Sequence, residues 1–155
     1  MSKDKILMCP PDFFTVDYVI NPWMAGHEDS LSLDRAKQQW EALRDQIAEF
    51  AEVVTIEPQA ELPDMVFTAN AGLIFHHEVI LSRFRPEQRR GEESWYEDWF
   101  AANGFQVRKL PDESYFEGAG DALFCGSTLI AGYRQRSDAR GQQLLGEMLG
   151  CHVIP

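Results

Sequence analysis

Two polar, glycine-containing segments, residues 63–72 and 116–121, hold the side chains best suited to bind a charged ligand. Their candidate binding groups are Asp64, Asn70, Glu117 and Asp121. Neither segment contains a lysine or an arginine, so converging carboxylates would attract a cation from elsewhere. A guanidinium is planar and presents five N–H donors, which carboxylate and amide oxygens match well. The two segments therefore favour a guanidinium-like ligand.

The same segments allow other interpretations. Asp64 and Asp121 are of a type common in turns and caps, residues 70–72 are compatible with an ordinary turn, and Glu117 is compatible with the surface. A phosphate-binding loop at residues 117–121 is disfavoured, because carboxylates at both ends would repel an anion and no Gly-Lys-Ser/Thr follows. Residue types alone leave the turn interpretation open.

Two basic stretches, residues 83–90 and 134–137, follow the two predicted hairpins at corresponding places. An arginine from each stretch could bind the carboxylate of an amino-acid ligand through paired hydrogen bonds. Solvated surface loops are the alternative for both stretches, since basic residues in loops are usually exposed.

The histidines and cysteines show no recognisable metal-binding or nucleophilic set. His76 and His77 lie at a predicted hairpin turn and are expected to be exposed, and His27 lies in a loop without a recognisable partner. Cys151 and His152 are neighbours in a predicted strand, so their side chains point to opposite faces and cannot form a dyad. No CxxC or HExxH spacing indicates a metal. The thiols predicted to be reduced and buried are Cys9, Cys125 and Cys151.

Composition indicates one globular, cytoplasmic chain. The 155 residues are 45% hydrophobic, enough for a core within the usual size of one domain. The formal net charge of -11 argues against nucleic acid or an anionic membrane as the main partner. No uncharged apolar stretch approaches the roughly 18 residues of a membrane span.

The first part of the chain predicts a strand, a long helix and another strand. Residues 6–9 form the first apolar strand, and the β-branched residues 53–56 form the second. Between them, apolar residues recur at alternating steps of three and four, which predicts a helix with one buried face capped by Ser30 or Ser32. The residues of this face are Leu33, Ala36, Trp40, Leu43, Ile47 and Phe50.

The rest of the chain contains a strand, strand, helix, strand unit twice. The first unit has a hairpin at residues 71–82, a helix ended by Gly104 and a strand around residues 105–107. The core face of its helix is predicted from Trp95, Trp99 and Phe100. The second unit has a hairpin at residues 122–131, a helix ended by Gly150 and a strand at residues 151–154.

Corresponding points of the two units lie about 46 to 49 residues apart, a period typical of repeat architectures. Each unit of such an array needs neighbours to cover its faces, so two units would form an incomplete ring. The chain ends at Pro155 directly after an apolar strand, which predicts one domain, residues 1–155, truncated after Pro155. Exposed edges of an open ring favour association, so a homo-oligomer is possible.

Several ordered motifs resemble one known family, the guanidine-modifying superfamily of amidinotransferases, dimethylarginine dimethylaminohydrolases and arginine deiminases. The similarity runs from about residue 6 to the end and is closest to the arginine dihydrolase-like members. The chain resembles their amino-terminal part only. The motifs are Leu-Met-Cys-Pro-Pro-Asp at residues 7–12, Tyr-Val-Ile-Asn-Pro-Trp-Met at 18–24, the first polar segment at 63–72, the second polar segment with two further residues at 116–123, Gly-Tyr at 132–133 and Arg-Ser at 136–137.

The resemblance implies an α/β pentein fold, a five-bladed propeller of repeated units, and a reaction that needs no cofactor. A cysteine thiolate attacks the guanidinium carbon, ammonia or an amine leaves, and water releases the product, with a histidine as general acid and base. Carried over by motif, Glu117 would bind the guanidinium and hold that histidine, while Asp64 and Asn70 would line the same site. The amino-acid end of the substrate would be bound by Asn21, Arg89 and Arg136.

Two departures from the family pattern affect the expected function. Asn70 stands where deiminating and dimethylarginine-hydrolysing relatives have an acid, which resembles the members that hydrolyse arginine twice, to ornithine, carbon dioxide and ammonia. The catalytic histidine and cysteine of the family would both lie beyond Pro155, so these 155 residues alone are not expected to turn over. A non-catalytic arginine-binding or assembly module, a plain structural fragment and an amidino transfer to an amine remain as alternatives.

Overall fold

The computed structural model describes residues 4–26, 31–111 and 113–155. They separate into two compact units, Met1–Thr68 and Ala69–Pro155. The predictions for His27 and for Ser30 as a helix cap fall outside the described residues. Within the described part, no helix combines the length and the apolar composition that crossing a membrane requires.

The first unit is built on a parallel pair of strands joined through a helix. β1 (Lys5–Met8) pairs in parallel with β2 (Glu52–Thr55), and α1 (Leu33–Ala48) lies between them in sequence. Parallel strands require a long crossover connection, which α1 supplies. Ser32 caps the helix, since its hydroxyl accepts a hydrogen bond from the Arg35 N–H at 3.4 Å.

The predicted buried face of α1 is wrong for this unit. None of the helix residues is buried, Leu43 is 51% exposed, and Phe50 just beyond the helix is 79% exposed. Among the described residues of this unit, the two-stranded sheet of β1 and β2 is the only sheet that can cover the helix. The spacing therefore identified the apolar face of the helix, but the prediction that this face is buried is wrong, because this unit offers too little surface to pack against it.

The second unit contains two successive ββαβ repeats, so the chain has a mixed α/β fold with small sheets. The elements of the first repeat are β3 (Gly72–Phe75), β4 (Glu78–Leu81), α2 (Glu92–Ala102) and β5 (Gln106–Arg108). Those of the second repeat are β6 (Ala122–Cys125), β7 (Thr128–Ala131), α3 (Ala139–Leu149) and β8 (His152–Ile154). In each repeat the hairpin is antiparallel, and its second strand pairs in parallel with the strand after the helix.

The predicted stops and turns of the repeats are confirmed. Gly150 ends α3 in the left-handed conformation, with φ of 62°, and Gly104 follows α2 with φ of 84°. Asp138 caps the start of α3 by accepting a hydrogen bond from the Gly141 N–H at 2.6 Å. His76 and His77 form the exposed turn between β3 and β4, as predicted.

The two repeats share one hydrophobic core. Leu73 and Ile80, on paired positions of the first hairpin, belong to the same buried cluster as Leu129 and Leu145 of the second repeat. Phe116, in the connection between the repeats, is 1% exposed within that cluster. Packing of one repeat on the other therefore supplies the cover that neither sheet could give itself.

The aromatic face predicted for α2 is partly wrong. Phe100 is buried as predicted, but Trp95 is 46% exposed, and Tyr96 with no exposed surface takes the core position. Tyr96 and Phe100 are four residues apart, so they lie on one face of the helix, whereas Trp95 is turned about a quarter circle away.

The cysteines are only partly as predicted. None of the three cysteines forms a disulfide, and Cys9 is buried, but Cys125 is exposed and Cys151 is half-buried. Cys125 is the last residue of β6, next to the tight turn at Gly126, where strand ends reach the surface.

We expect Glu93→Gln to gain stability relative to the parent chain as the pH rises. Burial raises the pKa of the Glu93 carboxyl above its ordinary value of 4.5, and the hydrogen bond from the Phe84 N–H and neighbouring cations offset this only in part. The native state then holds the proton more tightly than the unfolded chain, so stability from this group is lost as the pH rises between the two pKa values. Glutamine keeps the acceptor oxygen without titrating.

Urea unfolding of both chains at about pH 4 and about pH 7 measures this difference. The gap in unfolding free energy between variant and parent should shift in favour of the variant at the higher pH. An identical gap at both pH values would contradict the raised pKa.

Candidate functional site

Backbone contacts from both repeats fix the segment that carries Glu117. Arg83 and Phe116 exchange two backbone hydrogen bonds, of 2.8 and 3.0 Å, so the segment pairs with the end of the first hairpin. On its other side, the Glu117 N–H donates to the Ser137 hydroxyl at 3.1 Å, and the Tyr115 N–H donates to the Asp138 carboxylate at 3.0 Å. Glu117 is therefore held between the two repeats by main-chain contacts before its side chain is considered.

Gly118 must be glycine for this segment to approach the first hairpin. Its φ is +57°, in the left-handed region that side chains other than glycine rarely adopt. A methyl group there would lie 2.8 Å from the Gly72 backbone nitrogen and oxygen, well inside contact distance. The glycine at position 118 is thus required by close packing of backbone on backbone.

Asn70 lies directly before β3 and meets the Glu117 segment. Its side chain is buried, its Nδ2 donates to the Glu117 carbonyl at 3.5 Å, and its Oδ1 accepts from Arg89 Nη1 at 3.1 Å. A methyl group on Gly120 would collide with the Asn70 amide. The end of the first polar segment, residues 70–72, and the second polar segment therefore converge within the second unit.

Arg89 is buried at the centre of this arrangement. It is 3% exposed, and its Nε and Nη2 donate to the two oxygens of Glu92 at 2.8 Å each. The guanidinium carbon lies 4.3 Å from the centre of the Phe84 ring, and Nη1 is 3.5 Å from Glu117 Oε2. The paired geometry with Glu92 is the arrangement that guanidinium and carboxylate groups prefer.

Arg136 approaches the same Glu117 oxygen from the second repeat. Its Nη1 lies 3.6 Å from Glu117 Oε2, and its Nη2 donates to the Gly120 carbonyl at 3.0 Å and pairs with Asp121. The other Asp121 oxygen accepts from the Ser137 hydroxyl at 2.6 Å. The Arg136 side chain is 43% exposed, so this is the open side of the site.

Five charged side chains thus form what we call the charge cluster: Arg89, Glu92, Glu117, Asp121 and Arg136. Two guanidiniums face three carboxylates, so the ionised cluster carries one net negative charge. Burial in a medium of low polarity makes such an excess costly unless a cation compensates it. The arrangement therefore suits a single positively charged group.

The remaining sequence candidates, Asn21 and Asp64, lie in the first unit. Asn21 Oδ1 accepts hydrogen bonds from the backbone N–H groups of Trp23 and Met24 at 3.1 and 3.2 Å, so its side chain stabilises a local turn. Asp64 is 3% exposed, and its Oδ2 accepts from the Tyr18 hydroxyl at 2.8 Å.

Two members of the network around Glu117, Glu92 and Ser137, were not predicted from the sequence. Glu92 follows Arg89 by three residues, a spacing that brings charges together on a helix, but Arg90 and Glu93 offer equally spaced pairs. Ser137 was included in a family motif without a role, although its hydroxyl contacts both Glu117 and Asp121.

Fold and site together define a class, an α/β protein of ββαβ repeats with an acidic, guanidinium-lined site between them. The chain is 49% identical over 157 residues to the bifunctional arginine dihydrolase/ornithine cyclodeaminase ArgZ of Synechocystis sp., a match that covers 99% of this chain and 22% of that protein. It is 38% identical over 151 residues to the N(G),N(G)-dimethylarginine dimethylaminohydrolase of Mycobacterium tuberculosis, covering 97% of this chain and 49% of that protein. No family model matches the sequence.

A solved structure of one of these relatives has the same fold as this chain. The substrate-bound crystal structure of the N-terminal domain of ArgZ, an arginine dihydrolase, matches with a TM-score of 0.94 and 49% identity, over 97% of this chain and 56% of that chain. The chain belongs to the guanidine-modifying superfamily, as its motifs predicted, and matches the amino-terminal part of those proteins. It spans about a fifth to about half of the length of these two curated relatives.

We expect Gly118→Ala to destabilise the second unit far more than Gly126→Ala. Both glycines have φ near +60°, so both substitutions carry the cost of a left-handed alanine, about 1 to 2 kcal/mol. Only the methyl at position 118 meets backbone atoms, whereas nothing lies within 4 Å of one at position 126. The added overlap should cost about 1 to 3 kcal/mol more.

Urea unfolding of the two variants and the parent chain measures the difference directly. Equal losses of unfolding free energy in both variants would contradict close packing of Gly118 against the first hairpin.

Proposed function

We propose that this chain binds the guanidinium group of arginine or a related guanidino compound, and that the complete protein hydrolyses that group through a cysteine-linked intermediate. The observation that carries the proposal is the convergence of the buried Asn70 and Glu117 at a charge cluster with one excess negative charge. The relatives add support, since ArgZ is named an arginine dihydrolase and has been crystallised with its substrate.

In this proposal the predicted residues of the second unit keep the roles given to them from the sequence. Glu117 would accept hydrogen bonds from the substrate guanidinium and orient a catalytic histidine, Asn70 would line the guanidinium site, and Asp121 would be a further substrate-binding carboxylate. Arg89 and Arg136 would bind the amino-acid end, and the roles that the resemblance implies for Asn21 and Asp64 of the first unit stay predictions. Arg136, which is half-exposed, has the more accessible guanidinium of the two arginines.

The reaction of the complete protein needs groups outside these residues. A thiolate would attack the guanidinium carbon, an amine or ammonia would leave with a proton from a histidine, and water would then release the product. Residues 1–155 would supply the carboxylate that stabilises the positive charge of the guanidinium and orients its plane.

Cytoplasm is the proposed location of the protein.

We further propose that the two repeats are successive blades of a five-bladed propeller. The strands of the two hairpins correspond at an offset of 50 residues, from Gly72 in β3 to Ala122 in β6. Leu73 and Ile80, 3% and 0% exposed, are covered by the second repeat, whereas the equivalent Leu123 and Ile130 are 64% and 52% exposed. A third repeat packed as the second packs on the first would cover that row.

If the proposed site is correct, Glu117→Gln should weaken arginine binding to the 155-residue chain by about tenfold to a hundredfold, since hydrogen bonds to charged groups contribute about 1.5 to 3 kcal/mol. Binding of citrulline, which has a neutral ureido group in place of the guanidinium, should change little. Isothermal titration calorimetry with both ligands measures the four affinities.

Glu97→Gln is the matched control, because Glu97 lies on α2 and pairs with Lys109 outside the charge cluster. Its arginine affinity should equal that of the parent chain. Unchanged arginine affinity in Glu117→Gln would remove this residue from the site.

Purified chain incubated with arginine should release neither ammonia nor ornithine, because the proposed histidine and cysteine are not among its residues. Saturable binding without product would also be the behaviour of a non-catalytic arginine-binding module. The coding sequence after Pro155 separates the two, since a protein extended by a histidine segment and a cysteine should turn over. Turnover by the 155 residues alone would refute this assignment of the catalytic groups.

A further inference from the structure

Glu92 is the member of the charge cluster that lies behind Arg89, at the start of α2. It is the first residue of α2, with no exposed surface, and each of its oxygens accepts a hydrogen bond from Arg89 at 2.8 Å. A carboxylate in the first turn of a helix is further stabilised by the helix dipole. The Glu92 carboxylate is therefore both buried and held in one orientation.

The Glu92 contact determines which Arg89 nitrogen faces the ligand-binding residues. Nε and Nη2 are directed at Glu92, and the Phe84 ring covers one face of the guanidinium. The third nitrogen, Nη1, lies 3.1 Å from Asn70 Oδ1 and 3.5 Å from Glu117 Oε2. A rotation of the guanidinium would break two short hydrogen bonds, so Glu92 fixes the position of Nη1.

The second repeat provides an internal comparison. Arg136 lies three residues before the start of α3, as Arg89 lies three residues before the start of α2. At the place of Glu92 the second repeat has Ala139, and the Arg136 side chain is 43% exposed compared with 4% for Arg89. Burial and fixed orientation of the arginine thus accompany the carboxylate three residues later.

The charge of Glu92 also affects Glu117. With Glu92 ionised, the Arg89 charge is compensated by its own partner, and Glu117 retains its charge for an incoming cation. Without it, the cluster has two guanidiniums and two carboxylates, and Glu117 becomes the carboxylate of the cluster that compensates Arg89. A cationic ligand would then enter a site without excess negative charge and would compete with Arg89 for Glu117, which disfavours binding.

We propose that Glu92 is a positioning residue for the guanidinium site: its carboxylate fixes and neutralises Arg89, so that Asn70 is oriented and Glu117 keeps its charge for the ligand. The inference rests on the proposed function, because it assumes that the ligand is a guanidinium. It assigns Glu92 no direct contact with that ligand.

The test uses agmatine, which is arginine without its carboxylate, so that any direct bond between Arg89 and a substrate carboxylate is removed from the measurement. Glu92→Gln should weaken agmatine binding to the 155-residue chain about tenfold. Arg89→Gln combined with Glu92→Gln restores the charge balance and should bind agmatine at least about fivefold more tightly than Glu92→Gln alone. A residue with a purely structural role would lower the melting temperature in both variants without this recovery.

Glu97→Gln, on the same helix and outside the cluster, should leave agmatine affinity unchanged. Glu92→Asp keeps the charge and should stay within about threefold of the parent chain, which tests the idea even if Glu92→Gln does not fold. A loss in Glu92→Asp as large as in Glu92→Gln, or a double variant no tighter than Glu92→Gln, would overturn the proposal.

Failure of this inference and failure of the proposed function give different results. If the parent chain binds neither arginine nor agmatine, the guanidinium site itself is wrong and the inference is wrong with it. If the parent chain binds agmatine and Glu92→Gln binds it equally well, the site stands and only the role of Glu92 is refuted.

Discussion

Burial of the Glu117 carboxylate is the constraint on which the second unit depends. A carboxylate that is 1% exposed needs compensating charge nearby, and here one arginine from each ββαβ repeat supplies it. Because Arg89 and Arg136 come from different repeats, correct docking of the repeats and correct assembly of the cluster are the same event. The left-handed Gly118 permits that docking by allowing the main chains to touch.

The helices and strands could be predicted from local sequence patterns. Side-chain burial was harder to predict, because it depends on tertiary packing. β6 and β7 have the bounds that the sequence predicts, because two short apolar runs flank a two-residue turn with glycine at its first position. The stripe on α1 shows the limit: apolar spacing identifies which side of a helix seeks a partner, but not whether the same unit contains one. For α2, two pairs of adjacent aromatic residues, Trp95 with Tyr96 and Trp99 with Phe100, allowed two faces, and only packing selected Tyr96 over Trp95.

For the site, the repeated polar segments were enough to predict that Asn70 and Glu117 converge, since equivalent segments of a repeat array meet at one side. The partner of Arg89 was not predictable. Residues 89–93 contain two arginines followed by two glutamates, so several ion pairs satisfy the same spacing. The choice of Glu92 depends on how a short 3₁₀ turn ending at Arg89 leads into α2, which no residue type encodes by itself.

The matching Leu and Ile at paired positions of both hairpins carry an evolutionary consequence. The Leu and Ile pair is buried by the next repeat in the first repeat and is exposed in the second repeat. Each repeat therefore has one face that fits the opposite face of another repeat, which is a head-to-tail relation. Tandem duplication of a segment coding for such a unit would give each added copy a face that fits its neighbour.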